Sequence, residues 1–226
     1  MKNILIACCS IFLFSAAQPK LVTQKMVDGI TVGMPKDFVP MSDDDIANKY
    51  PSTKKPASMF TNLDRTVDFG LNISKSRWGG ADLSILKDVF HATILQSYDT
   101  VIFIKEDLVN INGRPYARYE FNSRFDNTEG YHYLLISILA KTLTEAETDK
   151  EKLTPGNSNH LLIFNFYCAK PYQATYQPIA EAMINTIHVN TKQASKAIPA
   201  VIQPQIKGLK SSQVLEDQKK RSTKAK

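Results

Sequence analysis

The chain has 226 residues, 43% of them hydrophobic, and a formal net charge of +6. That length suits one domain with a real core, since domains commonly run ~100–200 residues. The positive charge is local: nine Lys/Arg against Glu216 and Asp217 fall from Thr191 onward, while residues 18–190 hold eighteen Lys/Arg and twenty Asp/Glu. The basic balance thus belongs to the tail, and no nucleic-acid partner is expected of the folded part.

Lys2 precedes an apolar run from Ile4 to Phe14, and Ser15-Ala16-Ala17 place small residues before Gln18. The run is shorter than the ~20 residues needed to span a bilayer, so residues 1–17 read as a cleaved secretory signal peptide. Leu5-Ile6-Ala7-Cys8 imitates a lipoprotein box. The apolar run continues past the cysteine, and lipidation there is not expected. The mature chain is an exported protein of periplasm or extracellular space, with no transmembrane span.

Leu21–Val27 and Ile30–Val32 read as strands joined at Asp28-Gly29, with Pro35 and Pro40 breaking the regularity after them. Ser42 followed by Asp43, Asp44 and Asp45 opens a short helix. The hydroxyl caps free N–H groups and the acids suit the positive end of the dipole, which explains three aspartates more simply than a metal does. Ser58–Asn62 and Thr66–Ser74 form two further strands; Val67, Phe69, Leu71 and Ile73 alternate with Asp68, Gly70 and Asn72. Trp78-Gly79-Gly80 is a break. A helix follows from Asp82, with Leu83, Leu86, Val89, Phe90 and Ile94 at helical spacing.

Val101–Ile111 and Arg114–Phe125 are strands joined by Asn112-Gly113, whose two positions tolerate the positive φ of a type I′ turn. The expected register sets Lys105 against Glu120, Asp107 against Arg118, and Ile104 against Phe121, with a period of two unbroken from 104 to 121. Asp126–Gly130 reads as a polar loop, Tyr131–Thr144 as a strand, and Glu145–Asn159 as an exposed connection. His160–Ala169, apolar on both faces, is a central strand. Pro171 starts a last helix, striped by Tyr172, Tyr176, Ile179, Met183 and Ile187, that ends near Val189. From Thr191 the composition predicts a disordered basic tail.

Chemistry-bearing residues are few. After removal of Cys8 and Cys9 with the leader, Cys168 stands alone amid Phe164, Phe166 and Tyr167, as a small buried apolar residue does. His91, His132, His160 and His188 show no metal-like spacing; His132 and His160 would meet only on neighbouring strands. Asp126 with Glu129 misses the EF-hand pattern. Ser137 and Ser158 have no assignable base. The hairpin's polar face offers a partner-contact surface, where Asp107 and Lys105 neutralise Arg118 and Glu120 but leave Arg114 and Arg124 unmatched. Trp78 is an aromatic candidate for the same role. The tail's flexible lysines could hold an anionic lipid or glycan, at ~1 kcal/mol apiece near an anionic membrane.

The opening Gly29-Ile30-Thr31-Val32-Gly33-Met34-Pro35, the acidic helix after Met41 and the Phe60-to-Phe69 hairpin form a succession. It continues with the helix before Tyr98, Ile111-Asn112-Gly113-Arg114 with Ala117, Tyr119 and Phe121, and the closing Ile187-His188-Val189. Over about Lys25 to Asn190 this resembles the PsbP-like family, of the Mog–PsbP-like fold, and in particular its bacterial envelope branch with the DcrB-like proteins. The resemblance implies an α+β fold over 18–190, an antiparallel β-sheet flanked by helices on both faces (an α/β/α sandwich), with 191–226 as tail. It implies no shared catalytic residues; no cofactor or metal is expected from the residue spacing above. The expectation is a non-catalytic envelope protein that binds another macromolecule; a small-ligand or metal-binding protein with a pocket between helix and sheet is the alternative.

Overall fold

A computed structural model describes residues 19–51, 54–76, 78–140 and 159–195. The expected leader, the connection over 145–158 and the tail beyond 195 lie outside the described residues. In chain order the elements are β1 (Leu21–Val27), β2 (Ile30–Pro35), β3 (Phe38–Pro40), α1 (Asp43–Lys49), β4 (Ser58–Asn62), β5 (Val67–Ser76) and α2 (Leu83–Ser97). Then come β6 (Thr100–Ile111), β7 (Arg114–Phe125), β8 (Thr128–Leu139), β9 (Asn159–Ala169), α3 (Gln173–Ile184) and β10 (His188–Val189).

Seven strands form one antiparallel sheet in the order β3-β4-β5-β9-β8-β7-β6, and β1-β2-β10 form a second. The period of two divides the large sheet. Val67, Phe69, Leu71 and Ile73 meet Cys168, Phe166, Phe164 and Leu162, and this row faces α3 and the small sheet. On the other face Ala117, Tyr119, Phe121 and Ile136 pack beneath Leu83, Leu86 and Ile94 of α2, while Ile46 of α1 covers Met59. Helices thus flank both faces, as an α+β sandwich requires. β9 is the middle strand, in agreement with its two apolar faces. Ser42 caps α1 by accepting from the Asp45 N–H at 3.1 Å.

Asn112 and Gly113 hold φ of 50° and 81°, and Ile111 faces Arg114. The register expected from this turn holds to Lys105↔Glu120 and then changes. Ile104 bulges out, Phe103 rather than Ile104 faces Phe121, and Ile104 is 41% exposed. The bulge keeps both ends satisfied: Lys105 stays over Glu120, while the Phe103 ring reaches Phe121 and Tyr119 at 5.8 and 6.3 Å.

The other boundaries shift for local reasons. Strands run on through Pro35 and Pro40 because these lie at strand ends, where little ladder bonding is lost. The loop expected over 126–130 is a two-residue turn at Asp126-Asn127, with Phe125 paired to Thr128 and Arg124 to Glu129. Glu129 is therefore a ladder residue and not part of a calcium loop. Val89 of α2 is 44% exposed although it matches the helical period. α3 stops at Ile184, where the β-branched run begins. Thr186 bonds back to Met183 O at 2.5 Å, and His188-Val189 pair with Thr31 and Ile30. Residues 191–195 are helical, with Ala194 and Ser195 buried, so the packed body extends past Thr191.

Candidate functional site

The residues singled out by sequence do not converge. Arg114 and Arg124 lie at opposite ends of β7, ten residues or roughly 33 Å apart. Arg114 is committed to Ile138 O at 3.0 Å and Thr191 Oγ1 at 2.8 Å; Arg124 reaches Thr100 Oγ1 at 3.2 Å. Trp78 packs beside the α2 cluster, its carbonyl accepting from Asn159 Nδ2. The hairpin's polar face is the inner face under α3. Asp107 and Arg118 do pair, at 2.7 and 2.5 Å, and Lys105 reaches Glu120 at 3.2 Å. Glu120 is only 1% exposed, however, and accepts from Tyr131 at 3.0 Å and from Gln177 of α3 at 2.5 Å. This is an interior network clamping helix to sheet, where the sequence suggested exposed pairs.

The site with unused capacity is on the opposite face, where the C-terminal ends of α1 and α2 meet the sheet. Asp68 of β5 alternates with the core-facing Val67 and Phe69, so its side chain points to this face, yet it is 1% exposed. Its Oδ2 accepts from the Tyr50 hydroxyl at 2.5 Å and lies 2.6 Å from the Lys49 ammonium. Its Oδ1 is buried without a hydrogen-bond partner. Across the ladder from Asp68 stands Tyr167, followed by His132 and then Phe121. The His132 ring stacks on Phe121 at 4.6 Å and 8°, with Tyr167 at 5.0 Å and Tyr98, at the end of α2, at 5.2 Å.

Tyr50, Tyr98 and Tyr167 are each half-buried. Burial, and then the Asp68 carboxylate, hold the Tyr50 and Tyr167 hydroxyls above the ordinary phenol range; burial, and then Tyr167, do so for Tyr98. All three are neutral donors near pH 7. Among the described residues, the Tyr98 and Tyr167 hydroxyls make no protein hydrogen bond. Asn72, Ile163 and Asn165, on the same face of the sheet as Asp68, are also half-buried. Gly130 gives the Tyr167 ring its seat: a Cβ there would stand 2.6 Å from Cε2.

A nucleophile and a base also meet here. Ser123 Oγ lies 2.8 Å from His132 Nε2. The pair has no signature in the sequence: the tight Asp126-Asn127 turn, where a longer loop is expected, makes Ser123 and His132 diagonal neighbours. Burial pushes the His132 imidazole down to about 4, so at neutral pH it is a weak proton acceptor. Among the described residues no carboxylate orients its second nitrogen. The pair fixes a ring rather than arming an alcohol.

The remaining histidines are dispersed. His132 pairs with Tyr167 while His160 pairs with Leu139, so neighbouring strands hold them about 23 Å apart. His91 bonds Glu106 Oε2 at 2.9 Å and stacks on Phe103; His188 is exposed on β10, not on a helix. Among the described residues no three His, Cys, Asp or Glu side chains gather as metal ligands would. Cys168 is fully buried, and burial pushes its thiol up to about 12. Of the described helices, none is long and apolar enough to cross a membrane.

No family model and no curated protein sequence matches the chain. Solved structures that resemble it include cyanobacterial PsbP (CyanoP) from Synechocystis, at 14% identity and TM-score 0.47 over 71% of this chain and 86% of that one. Another is LpqN of Mycobacterium tuberculosis, described as involved in cell envelope biogenesis, at 10% identity and TM-score 0.46 over 70% and 83%. A structure from Bacteroides thetaiotaomicron gives 18% identity and TM-score 0.40 over 76% of this chain and 49% of that one. Likenesses at these scores assign no role; the fold stands on the pairings above.

Proposed function

We propose that the protein is an exported, non-catalytic binding protein of the cell envelope, and that its binding surface is the tyrosine-ringed site around Asp68. One observation carries this reading. Asp68 Oδ1 is buried without a hydrogen-bond partner, and Tyr167 across the ladder from it and Tyr98 packed on His132 are half-buried, with hydroxyls that bond no described residue. The Ser–His pair beside them is buried and poorly basic, which favours holding a ligand over transforming one. The leader-like first seventeen residues support export.

The test is capture from envelope extract by the full mature chain. Wild-type protein should retain a component that Asp68→Asn releases, while Ser123→Ala leaves retention intact. Retention unaffected by Asp68→Asn would refute the assignment of the surface, and loss of turnover in Ser123→Ala, for any hydrolysable ester tried, would refute the non-catalytic reading.

A further inference from the structure

β6 is the outer strand of the large sheet and, among the described residues, pairs only with β7. Its tight turn fixes which backbone groups are left over. A two-residue hairpin makes Ile111 and Arg114 a hydrogen-bonded pair, and bonded and non-bonded pairs then alternate back to the bulge at Ile104. Lys105, Asp107, Val109 and Ile111 therefore direct their N–H and C=O groups at β7, whereas those of Glu106, Leu108 and Asn110 point outward. The turn after β7, with Phe125 paired to Thr128, gives that strand the same phase from its other end. Edge strands are commonly guarded by charged side chains or a bulge. Here every charge on the strand is drawn onto one face or the other: Lys105 reaches Glu120 and Glu181, Asp107 holds Arg118, and Glu106 holds Lys87 and His91. Leu108 is 49% exposed among them. The bulge interrupts the edge at Ile104, and residues 105–111 stay regular and open.

We infer that this edge is a self-association surface, on which β6 of a second copy pairs antiparallel about a two-fold axis at Leu108. Register and charge select both that occupant and that alignment. With Leu108 opposite its own copy, Glu106 falls opposite the partner's Asn110 and Asn110 opposite the partner's Glu106. All the outward-pointing residues then meet outward-pointing residues, and each such pair closes two backbone hydrogen bonds. The side chains agree. Leu108 is covered by itself, the Asn110 amide donates to the Glu106 carboxylate, and no like charges stand directly opposite. Moving the axis to Asp107 sets that carboxylate against its copy. Moving it to Glu106 does the same there and runs the pairing into the bulge, while Val109 as centre leaves Glu106 without an outward partner. The interface is isologous and joins two seven-stranded sheets into one.

Sedimentation equilibrium of the full mature chain, up to about 200 µM, should show a monomer–dimer equilibrium, since one strand pair is a small interface of the weak class. Leu108→Lys sets two ammonium groups at the axis and should weaken dimerisation at least about tenfold. It should leave Tm in place, because Leu108 belongs to neither core cluster of the sheet. Ile102→Lys, beyond the bulge and already 62% exposed, should leave the dimer unchanged. Cross-linking reads the register. Leu108→Cys should form a reducible dimer under mild oxidation, because the Cα atoms of a hydrogen-bonded pair stand ~5.5 Å apart, within disulfide reach. Asn110→Cys should not, its two copies lying about 14 Å apart along the strands. Cys168 is buried and does not compete. A monomer at the highest concentration, a dimer indifferent to Leu108→Lys, or Asn110→Cys cross-linking as fast as Leu108→Cys would overturn the inference. So would a dimer lost from the chain ending at residue 195, which would assign the contact to the tail.

Discussion

A neutral histidine in an aromatic stack makes stability depend on pH in a way that can be calculated. Free histidine titrates near 6.5, whereas the folded His132 does so at about 4. Between these values the unfolded chain binds a proton that the native chain refuses, so stability falls as pH drops through that window and the term levels off below it. The full effect is about 3 kcal/mol, since each pKa unit is worth ~1.4 kcal/mol. Carboxylates titrate in the same range, and the clean observable is therefore a difference. Urea unfolding at pH 7.5 and pH 4 should show a smaller pH loss in His132→Gln, whose amide can still bond Ser123 but takes no proton. Equal losses in both proteins would show that His132 is protonated in the native state. Cys168 gives a second residue-scale expectation. With no exposed surface and a thiol pushed up to about 12, it should resist an aromatic disulfide reagent for hours in buffer at pH 8 and react within seconds in 6 M guanidinium. Rapid labelling of native protein would mean that β9 opens.

Elements were legible in proportion to how local their cause is. The Asn112-Gly113 hairpin is dictated by two residues that accept positive φ, and the N-terminus of α1 by Ser42 and its aspartates. The bulge at Ile104 has no such local sign. It settles a competition between Lys105, which must reach Glu120, and Phe103, which must reach the α2 cluster, and both partners are remote in sequence. The end of α3 was missed because the stripe continues to Ile187, whose burial is retained in an extended segment on β2. The candidate site was the least legible part. Asp68 sits in a clean alternating pattern that marks it as solvent-facing, and only the arrival of α1, carrying Lys49 and Tyr50, buries it. The same logic governs Glu120. Replacing Lys105 by Met leaves that carboxylate in the interior with Tyr131 and Gln177 alone. The expected loss is about 2 kcal/mol, below the ~3–5 kcal/mol of a fully buried broken pair because Lys105 keeps contact with water. Adding Glu120→Gln should restore most of it. A double mutant less stable than Lys105→Met would show that the carboxylate's neutral hydrogen bonds outweigh its ion pair.

For the whole molecule, the question is where the folded body stops and the cationic extension starts. Composition puts the boundary at Thr191, but packing puts it later. Residues 188–195 close over the first hairpin: Asn190 donates to Gly29 O at 2.7 Å, Ala194 to Asn190 O at 2.9 Å, and Arg114 to Thr191 Oγ1 at 2.8 Å. Gly29 holds φ +78°, and a Cβ on it would stand 2.5 Å from the Ala194 nitrogen, so a small residue at 29 and this final segment need each other. Two truncations separate the readings. A chain ending at residue 195 should keep the Tm of the full mature protein. One ending at residue 190 uncovers Ala194's seat and removes the Thr191 partner of Arg114, and should lose about 2 kcal/mol, a fall of roughly 4–8 °C for a domain this size. Gly29→Ala should cost a similar amount through the same contact, and adding it to the shorter chain should cost less than adding it to the longer one, because the obstructing backbone is gone. The chain ending at residue 195 also isolates the charge. Lys192 is then the one Lys or Arg left after Asn190, so retention on vesicles rich in anionic lipid should disappear while Tm stays put. A chain ending at 195 that melts early would place structural contacts beyond Ser195, and one that still binds such vesicles would locate the attraction on the folded body.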